Sequence, residues 1–373
     1  MIPVFETLPA AAAWYRAWLA EAALPLWAGA GVDARAAGLF QDSLSVAGAP
    51  VEAPRRARAQ ARQVFVFAQA AIAGYGAPWL EVARTGWARF VGVYRRPDGL
   101  FINRAAGDGT AIDAEADVYE QAFALLAMAA LQAAEPAAGL GAEAGRMLAA
   151  LQGRRTAAGG FRENGPHPFQ ANCHMHLLES ALAWETLGER GGDADWRRLS
   201  DELAGLALDR FIDPATGALR EFFDADWRAL GGADGLVEPG HQFEWAWLLE
   251  RWGRRRGHAR ALAAAGRLFE TGLKGVDPVR EVAVNALWDD FSVRDGDARL
   301  WPQTEHLKAA AVLGDEAQAL RAARGLAQYL DTPARGAWRD KLRADGSFVE
   351  EPAPATSFYH LMVAILELSA RAA

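Results

Sequence analysis

Apolar and polar positions repeat with a helical period along almost the whole chain, and two kinds of helix alternate. One kind carries a single apolar stripe opposite faces rich in arginine and glutamate: residues 10–24, 79–95, 141–153, 196–211, 258–273 and 315–330. Such helices are expected at the surface with one side buried. The other kind is oily round most of its circumference: residues 61–76, 117–134, 173–188, 241–253, 305–314 and 358–373. These belong inside, covered by the first set. The connecting segments 95–104, 157–164, 213–223, 287–297 and 336–348 mix Gly/Asp turns with brief aromatic or β-branched runs. They predict short β-hairpin loops at one rim.

Each oily segment carries one large polar residue near its start: Arg62, Tyr119, His176, His241, Glu305 and His360, in steps of 57, 57, 65, 64 and 55 residues. Spacing this even marks a repeated helix hairpin of about 60 residues. An open superhelix could use the same unit. Six hairpins can also close into an (α/α)6 barrel, with six inner and six outer helices, and then the N-terminal ends of the inner helices meet at one mouth. That all-α barrel is the expected fold. No linker is long or polar enough to divide domains, so residues 1–373 are expected to form one catalytic domain.

Composition supports the helical reading, because alanine, leucine and arginine dominate and strand-forming residues are sparse. A net charge of -8 argues against a nucleic-acid partner. Among 39 basic residues only Lys274, Lys308 and Lys341 are lysines, a bias that carries little mechanism. The single cysteine, Cys173, cannot form an internal disulfide and fits a reducing cytoplasm. It is a poor candidate nucleophile. Glu6, Arg16 and Glu21 interrupt the apolar N-terminal stretch, which lacks the basic start of a signal peptide. No run reaches the roughly 20 apolar residues of a membrane span. A soluble, cytoplasmic protein is expected, as monomer or homodimer.

Three of the seven histidines, His176, His241 and His360, occupy the repeated positions. The partial positive charge of a helix N-terminus disfavours imidazolium and would keep such rings neutral and basic. His176 with Glu179 and His241 with Glu244 share a spacing that puts each carboxylate on the histidine's helix face. An acceptor there could fix the tautomer for acid–base work; a simple capping arrangement is the alternative, and Glu238 competes for His241. Metal binding by His174, His176, the two His-x-x-Glu pairs and Glu305 is a rival. His174 and His176, however, point to different helix faces, so no metal or cofactor is expected. Tyr119, Asn172, Trp245, Trp301 and Arg62 suit a polyhydroxylated ligand, with Trp245 equally well placed for the core. Lys308 could in principle form a Schiff base, but Glu305 one turn away suggests an ordinary ion pair.

The stretches "EPGHQFEWAWLL" (238–249), "NCHMHLLES" (172–180), "QARQVFVF" (60–67), "DVYEQAFAL" (117–125), "WPQTEHLKA" (301–309) and "SFYHL" (357–361) resemble the N-acylglucosamine 2-epimerase superfamily, and "WPQTEHLKA" and the compact length are most similar to its D-mannose isomerase branch. The resemblance implies an (α/α)6 barrel acting without cofactor on a free monosaccharide, as an aldose–ketose isomerase or a 2-epimerase. It further implies His360 and His241 as the acid–base pair, Glu244 supporting His241, His176 assisting at the ring oxygen or O1, and Arg62 stabilising enediolate charge. Tyr119, Asn172, Glu238, Trp301 and Glu305 would shape or line the site. Thr356 stands where related isomerases can have glutamine, so contacts from that position are not carried over. A glycoside hydrolase using Glu238 or Glu244 with Glu305, and a non-enzymatic helical scaffold, are the competing classes.

Overall fold

The computed structural model describes residues 5–33, 38–76, 78–188 and 194–372. Residues 1–4 and Ala373, included above in the single domain and, for Ala373, in the last inner helix, lie outside them. In chain order the α-helices are α1 (Leu8–Trp18), α2 (Leu24–Gly29), α3 (Ala57–Ile72), α4 (Trp79–Tyr94), α5 (Val118–Ala134), α6 (Gly141–Leu151), α7 (Ala171–Gly188), α8 (Ala194–Leu206), α9 (Pro239–Arg256), α10 (Ala259–Leu273), α11 (Leu300–Leu313), α12 (Glu316–Ala327) and α13 (Thr356–Arg371). A π-helical turn, Leu19–Ala23, joins α1 to α2, and another, Ala207–Phe211, extends α8. None of the described helices is long and apolar enough to cross a membrane.

Helices α3, α5, α7, α9, α11 and α13 each pack on the next, and α13 packs back on α3, which closes the ring. Outside them α4 covers α3, α6 covers α5, α8 covers α7, α10 covers α9, α12 covers α11, and α1 covers α13. This is the expected (α/α)6 barrel. The inner helices close because their apolar residues face both the barrel axis and the jacket: on α5 an unbroken run from Glu120 to Leu131 is buried.

Local signals set the helix ends. In α9, Glu238 is extended, Pro239 supplies a pre-set φ at the first turn, and Arg254, Arg255 and Arg256 sit at the negative end of the helix dipole. Gly257 at φ 62° then stops it, a conformation that costs glycine nothing. The segment after Gly257 starts α10 with His258, whose Nδ1 accepts from Ala261 N at 3.2 Å.

Two inner helices begin earlier than their periodicity suggests, α3 at Ala57 and α11 at Leu300. The rim loops explain this, because Arg55–Arg56 pairs with Arg104–Ala105 and Ala298–Arg299 pairs with Lys341–Leu342 immediately before the helices start. Similar short antiparallel pieces occur between the outer and the next inner helices, such as Leu236–Val237 against Ala286–Trp288. Four buried glutamines fasten the rim to the barrel. Gln60, Gln121, Gln242 and Gln303 each bond both the N–H and the carbonyl of one loop residue, respectively Phe40, Phe101, Leu219 and Ala283. On α7 the same task falls to His174, whose Nε2 accepts from Phe161 N at 2.8 Å. His174 is thus a structural clamp.

Candidate active site

The first turns of the inner helices surround a cavity of about 250 Å³. Arg62 reaches it from α3, Tyr119 from α5, Asn172 and His176 from α7, His241 and Glu244 from α9, Trp301 from α11, and His360 from α13, with Glu238 at the start of α9. The evenly spaced positions therefore do converge. Glu305 is the exception: it is fully buried behind His360, although it stands at the same depth in α11 as Arg62 in α3 and His176 in α7. A larger cavity, of about 610 Å³, opens among residues such as Gln69, Thr186, Arg254 and Glu367 towards the other ends of the inner helices, and none of the three histidines borders it.

The two outermost histidines are held in the same way. His241 Nδ1 donates to Glu221 Oε2 at 2.8 Å, and His360 Nδ1 donates to Glu305 Oε1 at 2.8 Å. With Nδ1 committed, Nε2 of each ring is the nitrogen left for chemistry. Both rings contact the Trp301 indole, at 5.0 and 5.8 Å between centroids. Trp301 is itself fixed by Gly240, where an added Cβ would lie 2.5 Å from the indole. That close approach explains the glycine of "EPGH".

The charge states differ. Burial opposes a charge on His241, but Glu221, Glu238 and Glu244 outweigh it and push the ring up to about 10. His241 is an imidazolium at neutral pH, contrary to the neutral ring expected from the helix terminus: Glu221 and Glu238 outweigh a partial dipole charge. His360 is driven well below the usual histidine range by burial and by the positive charges of Arg62 and Lys308. It is neutral. His176 is also neutral, lowered to about 4 by burial despite Glu179.

The expected His-x-x-Glu partnerships are not formed as hydrogen bonds. His176 Nδ1 is 3.6 Å from Glu179 Oε2 and 3.9 Å from Glu244 Oε1, too far for either. Glu244 makes no hydrogen bond to His241 and supports it only through its charge. Glu221, on the rim loop and therefore outside any helix-spacing argument, takes that place. Burial and the neighbouring charge of Glu305 raise Glu244 to about 8, so it is largely a neutral acid at pH 7. Glu179 instead accepts from the Tyr359 hydroxyl.

Arg62 sits in an aromatic cradle, its guanidinium 3.9 Å from the Phe123 ring centroid and 5.0 Å from that of Tyr359. It donates to Thr356 O at 3.1 Å and to Tyr119 Oη at 3.0 Å. Thr356 thus contributes a wall and a carbonyl. Asn172 Oδ1 is buried with no hydrogen-bond partner among the described residues, as an acceptor awaiting a ligand hydroxyl would be. Trp245 does not line the cavity; it is fully buried and packs on Phe211. Three lining residues had no repeat signal, Arg56, Arg58 and Arg299. Each is paired with a carboxylate, Asp42, Glu120 and Glu238 respectively.

Two trios of ligand-type atoms lie within 4.8 Å of one another, His176/Glu179/Glu244 and Glu244/Glu305/His360. The Lys308 ammonium, 2.5 Å from Glu305 Oε2, already places a cation in this group. The neutral acid at Glu244 further weakens the donor set.

The family model for N-acylglucosamine 2-epimerase (GlcNAc 2-epimerase) matches residues 38–364. The chain belongs to this family. A protein of Rhizobium meliloti (strain 1021) named mannose-6-phosphate isomerase is 48% identical over 368 residues, covering 94% of this chain and 95% of that protein. A D-mannose isomerase of Thermobifida fusca is 28% identical over 62% of each chain. Among solved structures, the cellobiose 2-epimerase from Spirochaeta thermophila DSM 6192 superposes with a TM-score of 0.87 at 22% identity, over 98% of this chain and 97% of that one. As a member of the N-acylglucosamine 2-epimerase family, the protein is a sugar isomerase or epimerase.

Proposed function

We propose that this protein is a cofactor-independent aldose–ketose isomerase that converts D-mannose to D-fructose in the cytoplasm, with the whole chain as one catalytic domain. The observation that supports it is the opposite protonation of His241 and His360 beside a shared indole. A C2 proton is removable only after the hemiacetal opens and the carbonyl is polarised, which calls for an acid, a base and a positive group together. His241, assisted by His176, opens the ring. His360 Nε2 then takes the C2 proton while the C1=C2 bond forms and O1 takes a proton from His241, with Arg62 beside the developing oxygen charge. The O2 proton returns to His241, C2=O forms, and His360 gives its proton to C1. Both histidines end as they began. Tyr119, Asn172, Glu238 and Trp301 hold the sugar, Glu244 presents a neutral acid to it, and Glu305 acts through His360.

The same two charge states also suit a 2-epimerase, in which His241 protonates C2 from the opposite face. Turnover of D-mannose in deuterated water separates the two: fructose labelled at C1 supports isomerisation, and glucose labelled at C2 supports epimerisation. No turnover of any simple aldose rejects both. The carboxylate pairing of Arg56, Arg58 and Arg299 favours an unphosphorylated sugar over its 6-phosphate, because a phosphate would compete with three existing ion pairs. A side-by-side comparison of mannose with mannose 6-phosphate tests that choice.

A further inference from the structure

Lys308 lies on α11 one turn beyond Glu305, with no exposed surface, and no step of the proton transfer uses it. Its ammonium sits 2.5 Å from Glu305 Oε2 and 4.0 Å from the centre of the Trp247 ring. The other oxygen of the same carboxylate, Oε1, accepts from His360 Nδ1 at 2.8 Å. Lys308, Glu305 and His360 thus form one continuous buried line that ends at the cavity. We propose that Lys308 is a positioning residue for the proton transfer: its charge keeps Glu305 an acceptor and so holds His360 as the Nδ1–H tautomer with Nε2 free towards the substrate.

The surroundings make the charge necessary. Burial pushes the Glu305 carboxyl up, against the pull of Lys308. Without the ammonium, a charged Glu305 would lose its cation partner in a site with little water that also holds Glu179 from α7, where an unpaired negative charge is costly. The remaining charged or titratable groups near this line are His176, Arg62 and Tyr359, and the charge of Arg62 opposes one on His360. A neutral, protonated Glu305 would donate to Nδ1 rather than accept from it. The proton of His360 would then move to Nε2, and the ring would present an N–H where a base is needed. The same line gives Lys308 a use that needs no Schiff base: its nitrogen is protonated, held there by Glu305, Glu244 and Glu179 despite burial.

This inference rests on the isomerase reading only in its kinetic arm, so the test has two arms. The tautomer of His360 is read by nitrogen-15 NMR of histidine-labelled whole protein, with His360→Asn to assign the signal. Wild type is expected to show Nδ1–H, and Lys308→Met to show Nε2–H. Lys308→Arg, which keeps the charge, should restore Nδ1–H. In the kinetic arm, Lys308→Met should lower kcat on D-mannose by about 100-fold with KM within about threefold, the range of a misplaced general base. Its remaining activity should rise at higher pH as Glu305 ionises. If Lys308→Met does not fold, Glu305→Gln serves: Lys308 takes the amide oxygen, the NH2 then faces Nδ1, and Nε2–H is again expected. Nδ1–H retained in the folded Lys308→Met protein, or in Glu305→Gln, overturns the proposal. Loss of activity in Lys308→Met that Lys308→Arg does not rescue, with the tautomer unchanged, assigns Lys308 to packing alone. If instead the tautomer changes as expected while His360→Asn keeps full activity, the positioning stands and the assigned role of His360 fails.

Discussion

His241 and His360 both lean on the indole of Trp301 and each donates Nδ1–H to a buried glutamate at the same 2.8 Å, yet one is charged and the other neutral. The difference lies beyond the first partner. Glu238 and Glu244 add to Glu221 around His241, whereas Glu305 shares its carboxylate with Lys308, and Arg62 adds positive charge beside His360. Two rings with pKa values pushed apart are what an acid and a base in one site require.

Replacing His360 with asparagine removes the proposed base and keeps the approximate shape. Turnover of D-mannose is expected to fall by about 10³-fold, within the usual worth of a positioned general base. Far-ultraviolet circular dichroism should stay unchanged. A variant retaining more than half of wild-type kcat removes His360 from the mechanism.

The charge on His241 gives a pH signature. Because the ring must be protonated, kcat/KM should hold through neutral pH and fall as pH rises through about 10. Glu221→Gln deletes the strongest of the charges that support the imidazolium, so the alkaline limb should move to lower pH by more than one unit. An alkaline limb that does not move would assign the protonation to Glu238 and Glu244 alone.

The repeat was legible in the sequence because five of the six inner helices bring their marked polar residue to the mouth, and a shared task at a shared place leaves an even spacing. Nine of the ten site residues named from the sequence border the cavity, five of them at the repeated positions. Glu221 was not legible, since it sits on a rim loop 20 residues before His241 and reaches it only through the fold. The glutamine clamps Gln60, Gln121, Gln242 and Gln303 each stand fourth in their helices, but on differing sides of the marked residues, so the register of the repeat did not expose them. The direction of the His241 shift could not be read, because it depends on three carboxylates whose distances only the folded chain sets.

Stability should depend on pH at both ends. His174 and His176 are buried neutral with values of about 4 against the usual 6.5, so the unfolded chain binds more protons between these values. Their contribution is present above about 6.5 and is lost as pH falls towards 4, on the order of 3 kcal/mol per ring. His241 has the opposite sign: its stabilisation is full below about 6.5 and disappears as pH rises through about 10. Thermal melts from pH 4 to 10.5 should show a maximum near neutrality, with the alkaline loss reduced in Glu221→Gln.

Arg62 touches the proposed site with its charge spread against two aromatic faces. Arg62→Met keeps much of the packing and removes the positive group beside the developing oxygen. A fall in kcat of about 10²- to 10³-fold is expected, comparable with loss of one oxyanion donor, with a smaller change in KM. An effect confined to KM would mean that Arg62 binds ground-state sugar and does not serve the transition state.

Trp245 separates packing from binding on a single helix. It lies one residue after Glu244, but the helical turn carries its side chain away from the cavity to Phe211, at 5.9 Å between ring centroids. Trp245→Ala should cost about 3–5 kcal/mol, as removal of a buried aromatic does, and lower the melting temperature by several degrees. Under conditions where the variant is folded, KM for mannose should stay within about twofold of wild type. Trp301→Ala, by contrast, strips the surface that both histidines share and should raise KM and lower kcat with less loss of stability, because that indole is only partly buried. If Trp245→Ala raised KM instead, the wall of the cavity would have to extend to α9's outward face, and the assignment of Trp245 to the core would be wrong.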